Sequence, residues 1–419
     1  MGTSSVSRRD FIKVSAVSAV AVGMTGRMYA AGSDTVRVGL IGCGGQGTRD
    51  LISCVRSSPG VQIVALGDLF EDRLKGSIDT LRKEVPDALK VPADRQFVGF
   101  DAYKKVLATD VQMVLLVAPP HWRAQHLQAA VEAGKHVFME KPGGVDPKGI
   151  RSLIQTGELA KQKGHSVAAG TQRRHSKKYQ ETIRRIHDGQ IGDIVAAQAY
   201  WNGGDMLGYW KWWDKGNLSD MEWQCRSWPW FTWTSGDHIV EQHVHNLDVI
   251  NWALQGHPEQ CMGMGGRAVR TLGNIYDHFA VEYEYAKGVR VASYCRQITG
   301  STDRIAERVV GTKGYADIDR GIIAGEKAWK YDGPDPDHYV QEMADLIQSI
   351  REGKPINEAR NVAESTMNAI MGRMSAYTGR ALKWDWAMNA SKQDLTPPKY
   401  DWIDLPVEPV ATPGKTPLV

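Results

Sequence analysis

From Thr35 onward, short apolar runs alternate with mixed stretches. The runs at 36–41, 61–67, 96–99, 112–117 and 136–139 read as strands. The segments at 46–57, 70–83, 101–108 and 121–133 read as helices. Alternation of this kind predicts an α/β fold with a doubly wound parallel sheet. Val111 to Val117 contains one polar residue, as suits a strand covered on both faces. Past residue 190 the pattern changes. Asp277–Tyr285 and Val289–Cys295 alternate polar with apolar residues around Ala286-Lys287-Gly288, which predicts a hairpin. Further strands are expected near 194–201, 259–269, 305–311 and 315–320, with helices near 338–352 and 361–379. The stretch 394–419 is proline-rich and aperiodic. It reads as an arm wrapping the body or a neighbour, or as partly disordered.

The first strand ends in Gly42, Gly44 and Gly47, spaced G-x-G-x-x-G before a helix. In a dinucleotide site these glycines serve a tight turn, close backbone approach to the pyrophosphate, and close helix–strand packing. The helix N-terminus offers free N–H groups to the phosphates, so Gly45 and Gln46 join the expected nucleotide contacts. The second strand ends at Asp68, about 20 residues further on, where an acid meets the adenosine ribose. A carboxylate there repels a 2′-phosphate, so NAD is favoured over NADP. Ligands of such sheets lie outside the carboxyl ends of strands. His121 and Trp122, just past the fourth strand, are therefore expected near the cofactor.

Charge narrows the class. The chain has 419 residues and a formal net charge of +3. Residues 1–31 hold Arg8, Arg9, Lys13 and Arg27 against Asp10, which accounts for all of it. A neutral body points to neither nucleic acid nor a membrane surface. Ser7-Arg8-Arg9-Asp10-Phe11-Ile12-Lys13 resembles a twin-arginine export motif, and the apolar run Val14–Met24 is too short to span a bilayer. Residues 1–31 are read as a signal peptide, with a periplasmic destination for a protein exported folded. Five scattered cysteines lack the spacing of a disulfide framework or zinc site, and no His–Glu pattern calls for a metal.

A fifth strand delivers Glu140-Lys141-Pro142 at its carboxyl end. A lysine there can donate a hydrogen bond to a reacting oxygen, and can shift a proton if its pKa is depressed. The glycine pattern, Asp68, Glu140-Lys141-Pro142, Gly170-Thr171-Gln172-Arg173-Arg174 and Ile191-Gly192-Asp193-Ile194 together resemble the glucose–fructose oxidoreductase, inositol dehydrogenase and rhizopine-catabolism (Gfo/Idh/MocA) family. That resemblance implies a Rossmann domain over 34–172 and a C-terminal α/β domain over 173–385. The latter would carry a large, mostly antiparallel open sheet that often joins subunits into a homo-oligomer. A tail, 386–419, would follow.

Asp237 to Gln255 reads as one helix. Val240, Val244, Leu247 and Leu254 form its core stripe, and Glu241, His245, Asp248 and Trp252 share a second face. Acid and imidazole on one face can hold a histidine in one tautomer, although such a stripe is also an ordinary polar helix face. The family resemblance implies that His245 is the base and Lys141 its partner, with Glu241 and Asp248 orienting them or binding substrate. Glu241 stands where the family often has Asp. Arg173 is expected at the substrate. Eight of fourteen tryptophans fall between Trp201 and Trp233, in a segment expected to be a long loop over 201–236. Flat aromatic faces suit sugar rings, so Trp212, Trp213 and Trp230 are candidate substrate platforms; packing of a subunit interface or of the loop's own small core is the competing use.

The expected activity is hydride transfer between a secondary hydroxyl of a sugar or glycoside and a tightly bound NAD. One alternative is a redox-neutral NAD-dependent glycoside hydrolase. An exported branch of the family is of that kind, but with a Tyr-Pro-Thr-His-type motif where this chain has Glu241-Gln242-His243-Val244-His245. The other is a sugar-binding protein without catalysis.

Overall fold

The computed structural model describes residues 35–419; the expected signal peptide lies outside them. The described residues form one compact unit built on two sheets. The first sheet holds β1 (Val36–Ile41), β2 (Val61–Asp68), β3 (Gln96–Val98), β4 (Met113–Leu116), β5 (His136–Met139) and β6 (Val167–Ala169). Its order is β3-β2-β1-β4-β5-β6 with every pairing parallel. The strand order reverses between β1 and β4, which opens a crevice at their carboxyl ends. Four of the helices around it, Gly45–Ser57, Glu71–Glu84, Ala102–Leu107 and Arg123–Glu132, fall within two residues of the segments read from the pattern.

The second sheet has nine strands in the order β14-β13-β12-β11-β7-β10-β9-β8-β15. Its centre is β7 (Ile194–Gly203), parallel to β10 (Val289–Gln297) and antiparallel to β11 (Arg304–Gly311). The expected hairpin is β9 (His278–Tyr285) with β10, closed by Lys287 and Gly288 at positive φ. Beyond β8 (Gln260–Gly266) and β12 (Gly314–Asp317), the sheet adds the short strands β13 (Ile322–Gly325), β14 (Trp329–Lys330) and β15 (Leu382–Lys383). Helix Val244–Leu254 packs on β7 and β11. The opposite face carries exposed Tyr294, Met262 and Met264, and stacks Tyr200 on Tyr294.

Helix Ala359–Thr378 joins the two sheets. It is buried along nearly its whole length, and it packs on helix Pro147–Gln162 of the first sheet and on β8 of the second. Helix His338–Arg351 packs on Gly45–Ser57. Chain from past residue 330 thus returns to complete the first domain's layer.

Two expectations are corrected. Asp237–Gln255 is not one helix but His238–Glu241 followed by Val244–Leu254. At the break Gln242 has φ −110°, its side chain accepts from Gln297 Nε2 at 2.7 Å, and His243 Nε2 meets Ser293 Oγ at 2.7 Å. Docking onto β10 outweighs continuation of the helix. The tryptophan-rich segment is not a plain loop either. It contains helix Asp220–Arg226 and shorter helical turns, with a core of Met206, Trp230, Phe231 and Ile275. Residues 391–419 have no helix or strand, yet they lie along this chain's own body.

Candidate active site and nucleotide cleft

A cleft of about 1020 Å³ runs from the glycine loop to helix Val244–Leu254. Its floor begins at the turn after β1. Gly42 has φ 101°, and a Cβ there would lie 2.3 Å from Ala118 N. A Cβ on Gly47 would lie 2.0 Å from Gly42 O, so helix Gly45–Ser57 approaches β1 as closely as backbone allows. Gly45 faces open space, and the helix has no acid in its first turn. An open cradle at a positive helix end fits a pyrophosphate.

Asp68 lines the cleft, but both its oxygens are engaged. Oδ2 accepts from Cys43 N at 2.6 Å and Oδ1 from Phe70 N at 2.8 Å. Burial raises its pKa, and these two bonds oppose that. Gln46 also lines the cleft and donates to Asp50 Oδ1 at 2.6 Å. Asp50, Glu140 and Glu342 form a buried acidic group beneath it, each with its pKa raised chiefly by burial. Trp122 lines the cleft beside Phe70. His121 does not, which corrects its expected place at the cofactor. It is held by Tyr400 at 2.9 Å and packed against Trp122 and Trp233, and burial lowers its pKa to about 4.

At the other end, Lys141 Nζ donates to the Glu241 carbonyl at 2.7 Å and to Glu241 Oε1 at 2.8 Å. Burial pulls the lysine's pKa down, but Glu241 and Glu140 more than offset it, and the net shift is upward. Glu241 thus holds Lys141 as a cationic hydrogen-bond donor. His245 faces the same cleft and stacks on Trp201, with ring centroids 5.7 Å apart and planes at 19°. Burial, then the charges of Lys141 and Arg173, lower its pKa well below the usual imidazole range. A neutral imidazole beside a cationic lysine is a base next to an oxygen-polarising donor.

The other expected site residues lie elsewhere. Asp248 is outside the cleft wall, paired through both oxygens with Arg174 at 2.8 and 2.9 Å and bonded to Ser365. Arg173 is also outside that wall; it pairs with fully buried Glu307 and lies over Trp201 and Tyr179. Trp230, 1% exposed, belongs to the segment's core, and Trp212 is partly buried against that core. Trp213 alone of the three lines the cleft, under Lys211 and Arg226. The sequence reading missed Trp201, Gln172 and Tyr339 in the wall, where Gln172 Nε2 donates to Tyr339 Oη at 2.9 Å. Gln172 stands one residue before Arg173 in a motif already singled out, and Trp201 opens the tryptophan-rich segment. Among the described residues, no group of three or more His, Cys, Asp or Glu could hold a metal ion.

A parallel sheet with a glycine loop at its switch point, joined to a large open sheet, defines a two-domain dinucleotide-binding protein. Residues 36–171 match the oxidoreductase family with an NAD-binding Rossmann fold, and residues 179–317 match the GFO/IDH/MocA C-terminal domain. The chain belongs to the Gfo/Idh/MocA oxidoreductase family. It is 26% identical over 259 residues to an inositol 2-dehydrogenase of Azotobacter vinelandii, covering 61% of this chain and 66% of that one. It is 26% identical over 216 residues to a glycosyl hydrolase family 109 protein of Saccharopolyspora erythraea, covering 46% of this chain and 45% of that one. These alignments span less than two thirds of either relative. The fold is shared with GenD2 from gentamicin A biosynthesis, crystallised with NAD, at TM-score 0.64 and 17% identity, covering 83% of this chain and 96% of that one.

Proposed function

We propose that this protein is an NAD-dependent oxidoreductase acting on a secondary hydroxyl of a sugar, polyol or glycoside. The reading rests on one juxtaposition, Lys141 held by Glu241 in the same cleft as His245 and the glycine loop. Gly44, Gly45 and Gln46 would hold the pyrophosphate, and Asp68 would face the ribose. Bound NAD supplies a hydride acceptor. Lys141 Nζ donates to the substrate hydroxyl oxygen and keeps it polarised. His245 takes the hydroxyl proton, and the Glu241 carboxylate keeps Lys141 charged and aimed. Trp201 holds the imidazole plane. Trp213 and Trp210 wall the outer cleft with aromatic faces that suit sugar C–H groups. The inositol dehydrogenase relatives support a polyol or sugar substrate.

Export by the twin-arginine route to the periplasm is part of the same reading, supported by Ser7–Lys13. A free NAD pool is not expected there, so the cofactor would travel bound and be reoxidised in place by a second carbonyl substrate. The uncovered face with Met262, Met264 and Tyr294 suits a homo-oligomer contact.

The test is to purify the protein, release and identify its nucleotide, and screen sugars and polyols by nicotinamide absorbance. A signal lost in His245→Ala with NAD still bound supports the reading; full retention refutes it. The glycosyl hydrolase relative favours one second reading, redox-neutral glycoside cleavage. Release of an aryl alcohol from aryl glycosides without net NADH would establish that instead.

A further inference from the structure

The Asp68 end of the cleft is walled by Phe70 and Phe100, on the side where an adenosine half belongs. Neither aromatic is held only by its own domain. Trp402 stacks on Phe70, with centroids 5.8 Å apart and planes at 20°, and lies 4.8 Å from Phe100. Tyr400 packs on Phe100 and bonds His121 at 2.9 Å. The stretch carrying them is fixed at both ends. Leu395 N donates to Asp146 Oδ2 at 2.7 Å, and Asp394 pairs with Lys148, both at the start of helix Pro147–Gln162. Further on, Ile403 O accepts from Met221 N at 3.1 Å, and Leu405 N donates to Asp220 Oδ2 at 3.1 Å. That contact is helix Asp220–Arg226, whose last residue crosses back to the nucleotide domain. Arg226 pairs with Asp72 at 3.2 Å and lies 4.0 Å over the Phe70 ring.

We infer that residues 394–405 form a strap that holds the adenosine wall of the nucleotide site closed, so that Trp402 and Tyr400 act as positioning residues for bound NAD. The inference rests on the NAD-binding role of the first domain. The strap has no helix or strand, and Trp402 remains 43% exposed. Such a segment can lift without unfolding either sheet, because few backbone bonds oppose it. Lifting removes the backing of Phe70 and Phe100 and frees helix Asp220–Arg226 from one of its anchors. Nucleotide would then leave by the adenosine end, and closure of the strap sets how long it stays.

The experiment loads the full chain with NADH and follows loss of its fluorescence during a chase with excess NAD. Apo melting temperatures are measured alongside. Two aromatic pairs are removed in Trp402→Ala, and release should quicken about tenfold. Deletion of 394–419 should quicken release at least as much, and Trp402→Phe should restore slow release. Unchanged release in both Trp402→Ala and the deletion overturns the inference. Faster release matched by a collapse of the apo melting temperature overturns it too, since that is general destabilisation. If the unaltered chain holds neither NADH nor NAD, the nucleotide-binding reading itself fails, and the strap with it.

Discussion

Lys141 Nζ lies 2.8 Å from Glu241 Oε1, although the two residues are 100 positions apart in the chain. Glu241 is a leading cause of the lysine's raised pKa. In Glu241→Gln that support is lost, so Lys141 should titrate at lower pH and the alkaline limb of the rate profile should move down. Loss of a charged hydrogen bond worth about 1.5–3 kcal/mol corresponds to about a 10- to 100-fold drop in kcat/KM. An unmoved alkaline limb would separate Glu241 from the lysine's function.

His245 is kept neutral well below the usual imidazole range by burial and by neighbouring positive charge. Its capacity as a base is therefore present at pH 6.5 and disappears only in more acid solution. Lys141→Met removes one of those charges, so the acid limb that remains should move upward. His245→Ala should lower turnover by about 10²- to 10⁴-fold while NAD stays bound. Steady-state rates across pH, with nucleotide content measured in parallel, check both.

The tryptophans should divide by where they sit. Trp213→Ala opens the cleft wall and should raise KM for substrate with little change in melting temperature. Trp230→Ala empties the segment's core and should cost about 3–5 kcal/mol of stability, and Trp212→Ala, at a partly buried ring, should cost less. Thermal melts beside kinetics would distinguish the two groups; a raised KM without destabilisation in Trp230→Ala would contradict this division.

Arg173→Ala leaves Glu307, which has no exposed surface, without its cation. The expected loss is about 3–5 kcal/mol, seen in denaturant unfolding. Asn246 and Tyr179 also bond Glu307, but they are neutral and do not replace the charge. Stability unchanged in this variant would return Arg173 to the list of substrate contacts.

Buried neutral histidines act against stability in acid, and the raised acids Asp50, Glu140 and Glu342 act for it. Burial lowers His121 to about 4, and His126 and His243 to about 3. Between these values and 6.5 the unfolded chain binds protons at these sites that the native one does not, so these three groups take stability away as pH falls through that window. Across its window each group can cost about 3 to 5 kcal/mol. His175 runs the other way: burial lowers it, but Asp345 and Glu358 carry it up to about 9, so its stabilisation is lost between 6.5 and 9. The histidines' combined contribution to the melting temperature should therefore peak near neutral pH.

The first sheet was readable because period-two and apolar runs respond to local burial, and its glycine spacing answers to backbone contact alone. Lys141 was readable because it ends a strand, whereas His245 was singled out only through the likeness of its surroundings to the family. What could not be read depends on distant partners. The break at Gln242 is made by Gln297 and Ser293 on β10, and nothing within 237–255 announces it. Asp248 and Arg173 look like free functional groups until Arg174 and Glu307 are seen beside them. Trp230 and Trp213 have the same chemistry in sequence; only the fold sends one into a core and the other to the cleft.

The strap follows both sheets in the chain. During synthesis the glycine loop and the cleft floor therefore leave the ribosome before Tyr400 and Trp402 do. A newborn chain offers the nucleotide an unshuttered wall, and the finished chain a shuttered one.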